Sequence, residues 1–227
     1  STTKEMVSAV LESTYRTAKT PVNHNNDIGM PMAILAMPED TEVAVLEMGM
    51  NHFREMAYLS SVAQPDIAVI VNIGSMHIEF LGSIEGVRQA KLEILEGMDQ
   101  NGMLLLNGDD AMLRNLPRKP EQSVTYFGSD EEACAVRYKN VQEQSGAIKF
   151  DVCVDNQCFP VEMALEGRHF VLDAMAAITV ALKLNVSPVR IQESLSMFRN
   201  MAGRQEIYEV NGYTIISDCY NAGPESM

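Results

Sequence analysis

Polar residues follow three apolar runs in the first half of the chain, at the points where predicted strands end. These residues are Glu47, Asn72, His77, Asn107 and Asp109. In an open parallel sheet, the carboxyl ends of the strands form the edge where ligands bind. Each residue can instead cap the helix that follows, and for any one of them alone the two interpretations are equally good. Several together favour a ligand site.

Two of these residues are candidate metal ligands. Glu47 ends an apolar strand in LEMGMNH, and Gly49 lets the backbone approach a neighbouring group closely. A carboxylate there can bind a hard cation such as Mg²⁺. His77 is a second candidate, although imidazole is an uncommon Mg²⁺ ligand and a loop histidine is more often structural. The spacing of the other histidines does not indicate a metal site.

Lys91 lies in the apolar stripe of a predicted helix. The stripe consists of Ile84, Val87, Lys91, Ile94 and Met98. In one interpretation, the lysine stem packs on the stripe while the ammonium reaches water, which geometry alone favours. In the other, burial lowers the lysine pKa and leaves a neutral amine that can react or be modified.

The opening STTKEM is similar to the end of a phosphate-binding loop, where a hydroxyl residue precedes a helix whose N-terminus faces phosphates. The same residues also form an ordinary helix N-cap with Glu5 nearby. The glycines and the lysine of such a loop are missing here. Lys4 is expected to point away from the phosphates, since it follows the hydroxyl residues by a helical turn.

The elements that must position these residues alternate between short β-branched runs and amphipathic stretches, which predicts a parallel sheet covered by helices. A helix is predicted at the very start of the chain. Strands are predicted at 42–48, 67–73 and 102–107, and helices at 52–63 and 83–98. The predicted fold class is therefore α/β, with a mostly parallel sheet and flanking helices.

The second half changes character. Residues 133–163 alternate between strand and turn, with a hairpin turn at 155–157, and indicate a small antiparallel β insertion. A long Ala-rich helix is predicted at 168–184, and another begins near Ser187 with Pro188 in its first turn. The segment YEVNGYTII predicts a final hairpin, whose Asn-Gly pair suits a type I′ turn.

Composition narrows the function classes. The chain has 227 residues and a formal net charge of −14, a field that repels nucleic-acid phosphates, so nucleic acid is not an expected partner. The longest apolar stretch is too short to span a bilayer, and the first residues lack the features of a secretory signal. We therefore expect a cytoplasmic location and no membrane span. The four cysteines form no C-x-x-C pair and are interpreted as free thiols.

An ordered series of segments resembles the Mur ligases, from one end of the chain to the other. The segments are STTKEM, NHNNDIGMP, LEMGMNH, NIGSMHIEFLGSIEGVRQAKLEI, LNGDD, GRHFVLDAMAA, MAGR and SDCYNAGPESM. Each has modest specificity, but their order and spacing together are hard to obtain by chance. Within the family, the segments N-x-N-N-D-I-G-x-P, E-M-G and D-x-Y-N-A resemble the members that add D-alanyl-D-alanine.

This resemblance implies roles for particular residues. The implied Mg²⁺ ligands are Ser1, Glu47, His77 and Lys91, the last as a carbamate formed with CO₂ that bridges to a second Mg²⁺. The implied ATP contacts are Ser1, Thr2, Asn107, Asp173, Arg204 and Asp218, and the implied substrate contacts are Asn25, Asn26, Tyr220 and Asn221. Glu47, His77 and Lys91 are the implied catalytic residues.

The resemblance further implies that residues 1–227 are the central ATP-binding domain of a longer ligase, without its N-terminal UDP-substrate domain and its C-terminal domain. The implied reaction uses ATP to join D-alanyl-D-alanine to a UDP-linked muramoyl tripeptide through an acyl phosphate. Phe170, Asp173 and Gly223 stand where the family usually has asparagine. Two alternatives are another ligase of the superfamily, such as a folylpolyglutamate synthetase, and a catalytically silent nucleotide-binding domain.

Overall fold

The computed structural model describes residues 1–116, 120–144, 146–201 and 203–219. The α-helices in this part are α1 (Thr2–Glu12), α2 (Gly29–Leu35), α3 (Glu55–Ala63), α4 (Ile78–Leu81), α5 (Ile84–Leu92), α6 (Ala111–Arg114), α7 (Phe170–Lys183) and α8 (Pro188–Met197). The strands are β1 (Thr17–Lys19), β2 (Val43–Val45), β3 (Ile67–Ile70), β4 (Met103–Asn107), β5 (Ser123–Gly128), β6 (Val136–Gln144), β7 (Ala147–Val154), β8 (Gln157–Met163), β9 (Glu206–Val210) and β10 (Tyr213–Ser217).

The main sheet has six strands in the order β3-β4-β5-β6-β7-β8. Strands β3 to β6 pair in parallel, and β6, β7 and β8 pair antiparallel. Strands β1 and β2 form a separate two-stranded parallel sheet, and β9 and β10 form an antiparallel hairpin. The predicted α/β class is confirmed, with the parallel strands divided between two sheets.

Helices cover both faces of the main sheet, which explains why β4 is apolar at consecutive positions. Leu105 packs with α1, α7 and α8 in one core cluster. Leu104 and Leu106 point to the opposite face, where they pack in a second cluster with α3 and α5. Successive side chains of a strand point to opposite faces, so these three leucines belong to two cores.

Local signals in the sequence fix several element ends as predicted. The Ser187 side chain accepts a hydrogen bond from Arg190 N, and Pro188 occupies the first turn of α8. Asn211 and Gly212 have φ values of 52° and 79°, as the two central residues of a type I′ turn require. The 155–157 turn and the final hairpin are confirmed.

Several boundaries differ from the sequence prediction. The strands predicted at 42–48 and 67–73 span only Val43–Val45 and Ile67–Ile70, and the helix predicted at 52–63 begins at Glu55. The helix predicted at 83–98 ends at Leu92 and continues as a 3₁₀ helix over Glu93–Gly97, and Ile84, assigned to its apolar stripe, is 40% exposed. The predicted antiparallel insertion is an extension of the main sheet, because β6 pairs in parallel with β5 through Phe127 and Gly128.

The prediction of four free thiols is wrong for one pair. Cys153 and Cys158 lie opposite each other on β7 and β8 and form a disulfide. The close spacing of this pair was visible in the sequence, but the strand register that places the two sulfurs face to face was not. Cys134 is a buried free thiol and Cys219 an exposed one.

None of the helices within the described ranges has the length and apolar character needed to cross a membrane.

Candidate functional site

A cavity of about 940 Å³ opens where β1, β2 and β3 end and α1 begins. This is the sheet edge that the sequence predicted as the ligand edge. The residues that line it are Ser1, Asn23, Asn25, Asn26, Asp27, Glu47, Gly49, Met50, Asn51, Phe53, Arg54, Glu55, Tyr58, Leu59, Met76, His77 and Arg204. The fold thus brings six predicted site residues together: Ser1, Asn25, Asn26, Glu47, His77 and Arg204.

Glu47 is the centre of the polar contacts in this cavity. Its Oε1 accepts a hydrogen bond from Ser1 Oγ at 3.1 Å and lies 3.5 Å from the Asn25 side-chain amide nitrogen, which also donates to it. The Ser1 hydroxyl in turn accepts from Arg204 Nη2 at 3.4 Å. A carboxylate, a hydroxyl and a guanidinium therefore meet at the N-terminus of α1, where the helix dipole favours anions.

The other oxygen of Glu47 faces away from these groups. Glu47 Oε2 is buried and accepts no hydrogen bond from the described residues, although Lys4 Nζ lies 3.7 Å from it. The backbone of Glu47 is fixed independently, because its N–H donates to the buried Thr20 hydroxyl at 3.0 Å. The position of this carboxylate is therefore determined from the β1 side as well as from α1.

The loop after β1 supplies the two asparagines. Asn26 Oδ1 accepts from Gly29 N at 2.8 Å and so holds the start of α2, which leaves the Asn26 amide donors for the cavity. Asn25 O accepts from Gly49 N at 2.7 Å. A Cβ at Gly49 would lie 3.0 Å from Asn25 Cγ, so the group that approaches Gly49 closely is the Asn25 side chain.

His77 lines the same cavity. It precedes α4 with a left-handed φ of 65°, a conformation uncommon for residues other than glycine. No three His, Cys, Asp or Glu side chains converge as a metal site within the ranges that the structure describes. Any cation bound here would therefore need ligands beyond those four residue types, and the Ser1 hydroxyl is one such ligand.

Lys91 lies beside the cavity rather than in its wall. Lys91 is partly buried in the last turn of α5, and its Nζ donates to Asn72 O at 2.6 Å, just beyond β3. Burial lowers the pKa of Lys91, and the charge of Asp110 partly opposes this shift. The amine is thus held at the edge from which the His77 segment extends.

The polar side chains at and after the end of β4 accept hydrogen bonds from neighbouring parts of the chain. Asp109 accepts from Ser129 N and from the Tyr138 hydroxyl, and Asp110 accepts from Ile73 N at 2.7 Å and Met112 N at 2.8 Å. Asn107 is buried, and its Oδ1 accepts from Asp109 N at 2.9 Å. Asp110 therefore caps α6, and Asp109 joins the end of β4 to the β5–β6 region without capping a helix. The nucleotide contact of Asn107 stays a prediction.

Asp173 ties α7 to α1. Its Oδ1 accepts a hydrogen bond from the Thr3 hydroxyl. Burial raises the pKa of Asp173, and the Thr3 hydrogen bond only partly offsets this. Asp173 does not line the described cavity, nor do Thr2 and the exposed Asp218. The nucleotide contacts of all three stay predictions, and Tyr220 and Asn221 lie outside the described residues.

Asp173→Asn is expected to stabilise the chain at neutral pH, by on the order of 1 kcal/mol. The pKa of an aspartate in the unfolded chain is about 3.9. Just above that pH, the Asp173 carboxyl of the folded protein still holds a proton that the unfolded chain has released. Wild-type stability therefore falls as pH rises through the window between the two pKa values, and the full loss remains above it. Asparagine has no charge to bury and keeps an acceptor for Thr3.

Urea unfolding from pH 3 to 8 measures this difference. The stabilities of the two proteins should converge at the acid end and separate as pH rises. Glu39→Gln, at an exposed carboxylate, is the control for the reduced net charge. If Glu39→Gln raised the free energy of unfolding by the same amount, the reduced net charge would be the cause and the prediction would be contradicted.

Sequence reasoning missed several residues of this site. The Lys4 ammonium lies 3.7 Å from Glu47 Oε2, and Thr20 holds the Glu47 backbone. Phe53, Arg54 and Tyr58 line the cavity from the start of α3. The only sequence signal for Lys4 was a lysine on the face of α1 that also carries buried residues.

Comparisons with known proteins identify one family. Residues 1–181 match the Mur ligase middle domain family. UDP-N-acetylmuramoyl-tripeptide--D-alanyl-D-alanine ligases are similar: the Bacillus subtilis protein is 40% identical over 100% of this chain and 48% of its own length, and the Escherichia coli protein is 30% identical over 99% and 50%. The chain spans about half the length of the curated relatives it matches.

Solved structures give the same result. MurF from Acinetobacter baumannii superimposes with a TM-score of 0.92 at 30% identity, covering 99% of this chain and 49% of that one. MurF ligase from Thermotoga maritima, in complex with ADP, has a TM-score of 0.88 at 30% identity, covering 99% and 52%.

Proposed function

Because the chain belongs to the Mur ligase family, we propose that it is the ATP-binding central domain of a longer ligase that joins D-alanyl-D-alanine to a UDP-linked muramoyl tripeptide. The observation that carries this proposal is the contact of Ser1 Oγ with Glu47 at the N-terminus of α1. It places a hydroxyl, a carboxylate and a helix N-terminus in one cavity. Relatives named for this reaction, and one solved with ADP, support it.

The start of α1 is the phosphate end of the proposed site. The first-turn N–H groups of this 11-residue helix donate no hydrogen bond to the Ser1 side chain, which leaves them for an anion. Ser1, Thr2 and Arg204 would contact the phosphates of ATP. Arg204 already donates to the Ser1 hydroxyl and so lies within reach of the same position.

The ligand chemistry of the cavity fits Mg²⁺. Ser1 Oγ and Glu47 Oε1 are hard oxygen ligands in mutual contact, and phosphate oxygens of ATP would complete their coordination. Ser1, Glu47 and His77 are the proposed protein ligands. Bound Mg²⁺ would offset the negative charge of the phosphates and of an approaching carboxylate.

Lys91 is proposed to act as a carbamate that binds a second Mg²⁺. The ammonium first loses one proton; the neutral amine then adds to CO₂, a C–N bond forms as one C=O π bond opens, and a second proton leaves to solvent, so that two protons are released in all and a cation becomes an anion. The lowered pKa of Lys91 favours the neutral amine that this addition requires. The Asn72 carbonyl to which Nζ donates orients the amine at the sheet edge.

In the proposed reaction, the substrate carboxylate attacks the γ-phosphate and releases ADP, which gives an acyl phosphate. The amine of D-alanyl-D-alanine then attacks the acyl carbon, and inorganic phosphate and a proton leave. Neither step requires a protein nucleophile, so catalysis rests on positioning and on electrostatic stabilisation. Asn25 and Asn26, which line the cavity, would contact the substrate, and Tyr220 and Asn221 stay predicted substrate contacts.

The test is an amine-dependence assay of the full-length protein with ATP and UDP-linked muramoyl tripeptide. Phosphate release should depend on D-alanyl-D-alanine, with the amide product identified by mass spectrometry. L-alanine, D-glutamate, lysine and diaminopimelate are the comparison amines. Turnover with one of these, using the matching shorter acceptor, would assign another ligase of the family. Nucleotide binding without turnover of any amine would indicate a catalytically silent domain.

A further inference from the structure

Lys4 is an almost fully buried lysine that lies behind the cavity. Only 5% of the residue is exposed, although charged residues are rarely buried to this degree without partners. Its ammonium donates to Thr20 O at 2.8 Å and to Val22 O at 3.2 Å. Glu5 Oε1 lies 3.2 Å away and Glu47 Oε2 3.7 Å away.

Lys4 and these partners come from three separate parts of the site. Thr20 and Val22 belong to the segment that leads from β1 to Asn25 and Asn26, Glu47 follows β2, and Lys4 itself lies on α1. The ammonium therefore connects the helix that begins at Ser1 with the two segments that carry the acidic and amide side chains of the cavity.

Lys4 approaches only one of the two carboxylate oxygens of Glu47. Oε1 faces Ser1 and Asn25 in the cavity, whereas Oε2 faces Lys4. An ammonium on the Oε2 side favours the orientation in which Oε1 is presented to the cavity. Within the described part of the chain, Lys4 is the only cationic side chain that approaches Oε2, so its removal would leave this oxygen without a positive partner.

We propose that Lys4 is a positioning residue of this site: its buried ammonium orients Glu47 and anchors the Thr20–Val22 segment that leads to Asn25 and Asn26. The inference rests on the proposed function only in taking Glu47 as a ligand of the catalytic Mg²⁺. Lys4 touches neither substrate nor metal in this assignment and acts through Glu47.

Two effects of removing Lys4 oppose each other. A cation near Glu47 repels Mg²⁺, so its loss would by itself tighten metal binding. However, Glu5 lies closer to Lys4 than Glu47 does and neutralises much of its field. Loss of two charge-assisted hydrogen bonds and of the orientation of Glu47 is therefore the larger effect, and metal binding should weaken.

The experiment compares Lys4→Met with Lys19→Met in the full-length protein. Lys19 is the matched control, because it pairs with the same Glu5 at 2.6 Å but lies on the surface. Mn²⁺ binding is measured directly by electron paramagnetic resonance without substrates, and ligase rate is measured against Mg²⁺ concentration. For Lys4→Met we expect metal affinity to fall by about 10-fold to 100-fold, as for other groups that orient a metal ligand, and for Lys19→Met by less than about twofold.

Two further variants distinguish positioning from a general structural role. Lys4→Arg keeps the charge and the donors and should recover part of the metal affinity. In a Glu47→Gln background, Lys4→Met should cause no further loss of metal affinity, since it acts through Glu47. The proposal would be contradicted if the metal affinity of the double variant fell by the product of the two single-variant losses. If Lys4→Met does not fold, Lys4→Gln, which keeps an amide donor without the charge, takes its place with the same expected loss.

The outcomes separate this inference from the proposed function. Wild-type Mn²⁺ binding in a folded Lys4→Met or Lys4→Gln variant, or equal losses in Lys4→Met and Lys19→Met, overturns the role of Lys4 even if the ligase assay succeeds. Weakened Mn²⁺ binding together with absent D-alanyl-D-alanine ligation would support Lys4 while the proposed function fails.

Discussion

Lys91→Ala in the full-length protein is expected to lower ligase turnover by at least about 100-fold, the usual cost of removing one preorganised charged group, with little loss of fold. The physical reason is the loss of the carbamate anion that would bind the second Mg²⁺. A small added carboxylate, such as acetate or formate, should restore part of the rate by occupying the vacated position. Lys91→Arg should lose turnover in the same way, because arginine keeps a positive charge but cannot add CO₂.

A direct readout makes this prediction independent of activity. Equilibration with ¹³C-labelled bicarbonate should give a carbamate carbon resonance in wild-type protein that disappears in Lys91→Ala. Lys183→Ala, at an exposed lysine in the last turn of α7, is the matched control and should keep both rate and resonance. A normal rate for Lys91→Arg, or a wild-type spectrum without the resonance in an active enzyme, would show that the lysine acts unmodified.

Glu47→Gln and His77→Ala are expected to raise the Mg²⁺ concentration needed for half-maximal rate by about 10-fold to 100-fold, the range seen when the coordination of a site is disturbed. Glutamine keeps the size of Glu47 and an acceptor for Ser1 but removes the charge that binds a hard cation. Both residues lie at the ligand edge rather than in the core, so unfolding free energies should change much less than the Mg²⁺ dependence.

Glu85→Gln and His52→Ala are the controls for this pair. Both residues are exposed, and neither lines the described cavity. Rates should be titrated with Mg²⁺ at saturating ATP, alongside urea unfolding of each variant. If Glu47→Gln and His77→Ala retain the wild-type rate at limiting Mg²⁺, the metal assignment is wrong.

Most elements of the fold could be predicted because their signals are local. The Asn211-Gly212 pair sets a type I′ turn through the φ values that these residues tolerate, and Ser187 with Pro188 sets a helix start. Apolar runs predicted the strands, and periodicity predicted the helices. The division of the parallel strands between two sheets was not predictable, because it depends on pairing between distant segments.

The candidate site could be predicted in part. Because parallel strands end at a common edge, Glu47 and His77 were expected to lie on the same side of the molecule, and both line the cavity. The same rule overestimated Asp109, whose carboxylate accepts hydrogen bonds from Ser129 N and the Tyr138 hydroxyl. Whether a strand-end carboxylate faces a ligand or a backbone N–H depends on the loop beside it, which the strand pattern does not describe.

The sequence alone therefore determined the element types, the ligand edge and the family resemblance, since each follows from residues near one another along the chain or from their order. Only the tertiary structure decided that Lys4 turns toward Glu47, that Thr3 holds Asp173, and that two cysteines form a disulfide. The Lys4 and Thr3 contacts join segments far apart in the chain, and the disulfide depends on strand register. The reason is physical: a buried charged or polar group takes the partner that the packed chain brings within reach, and local sequence does not specify that partner.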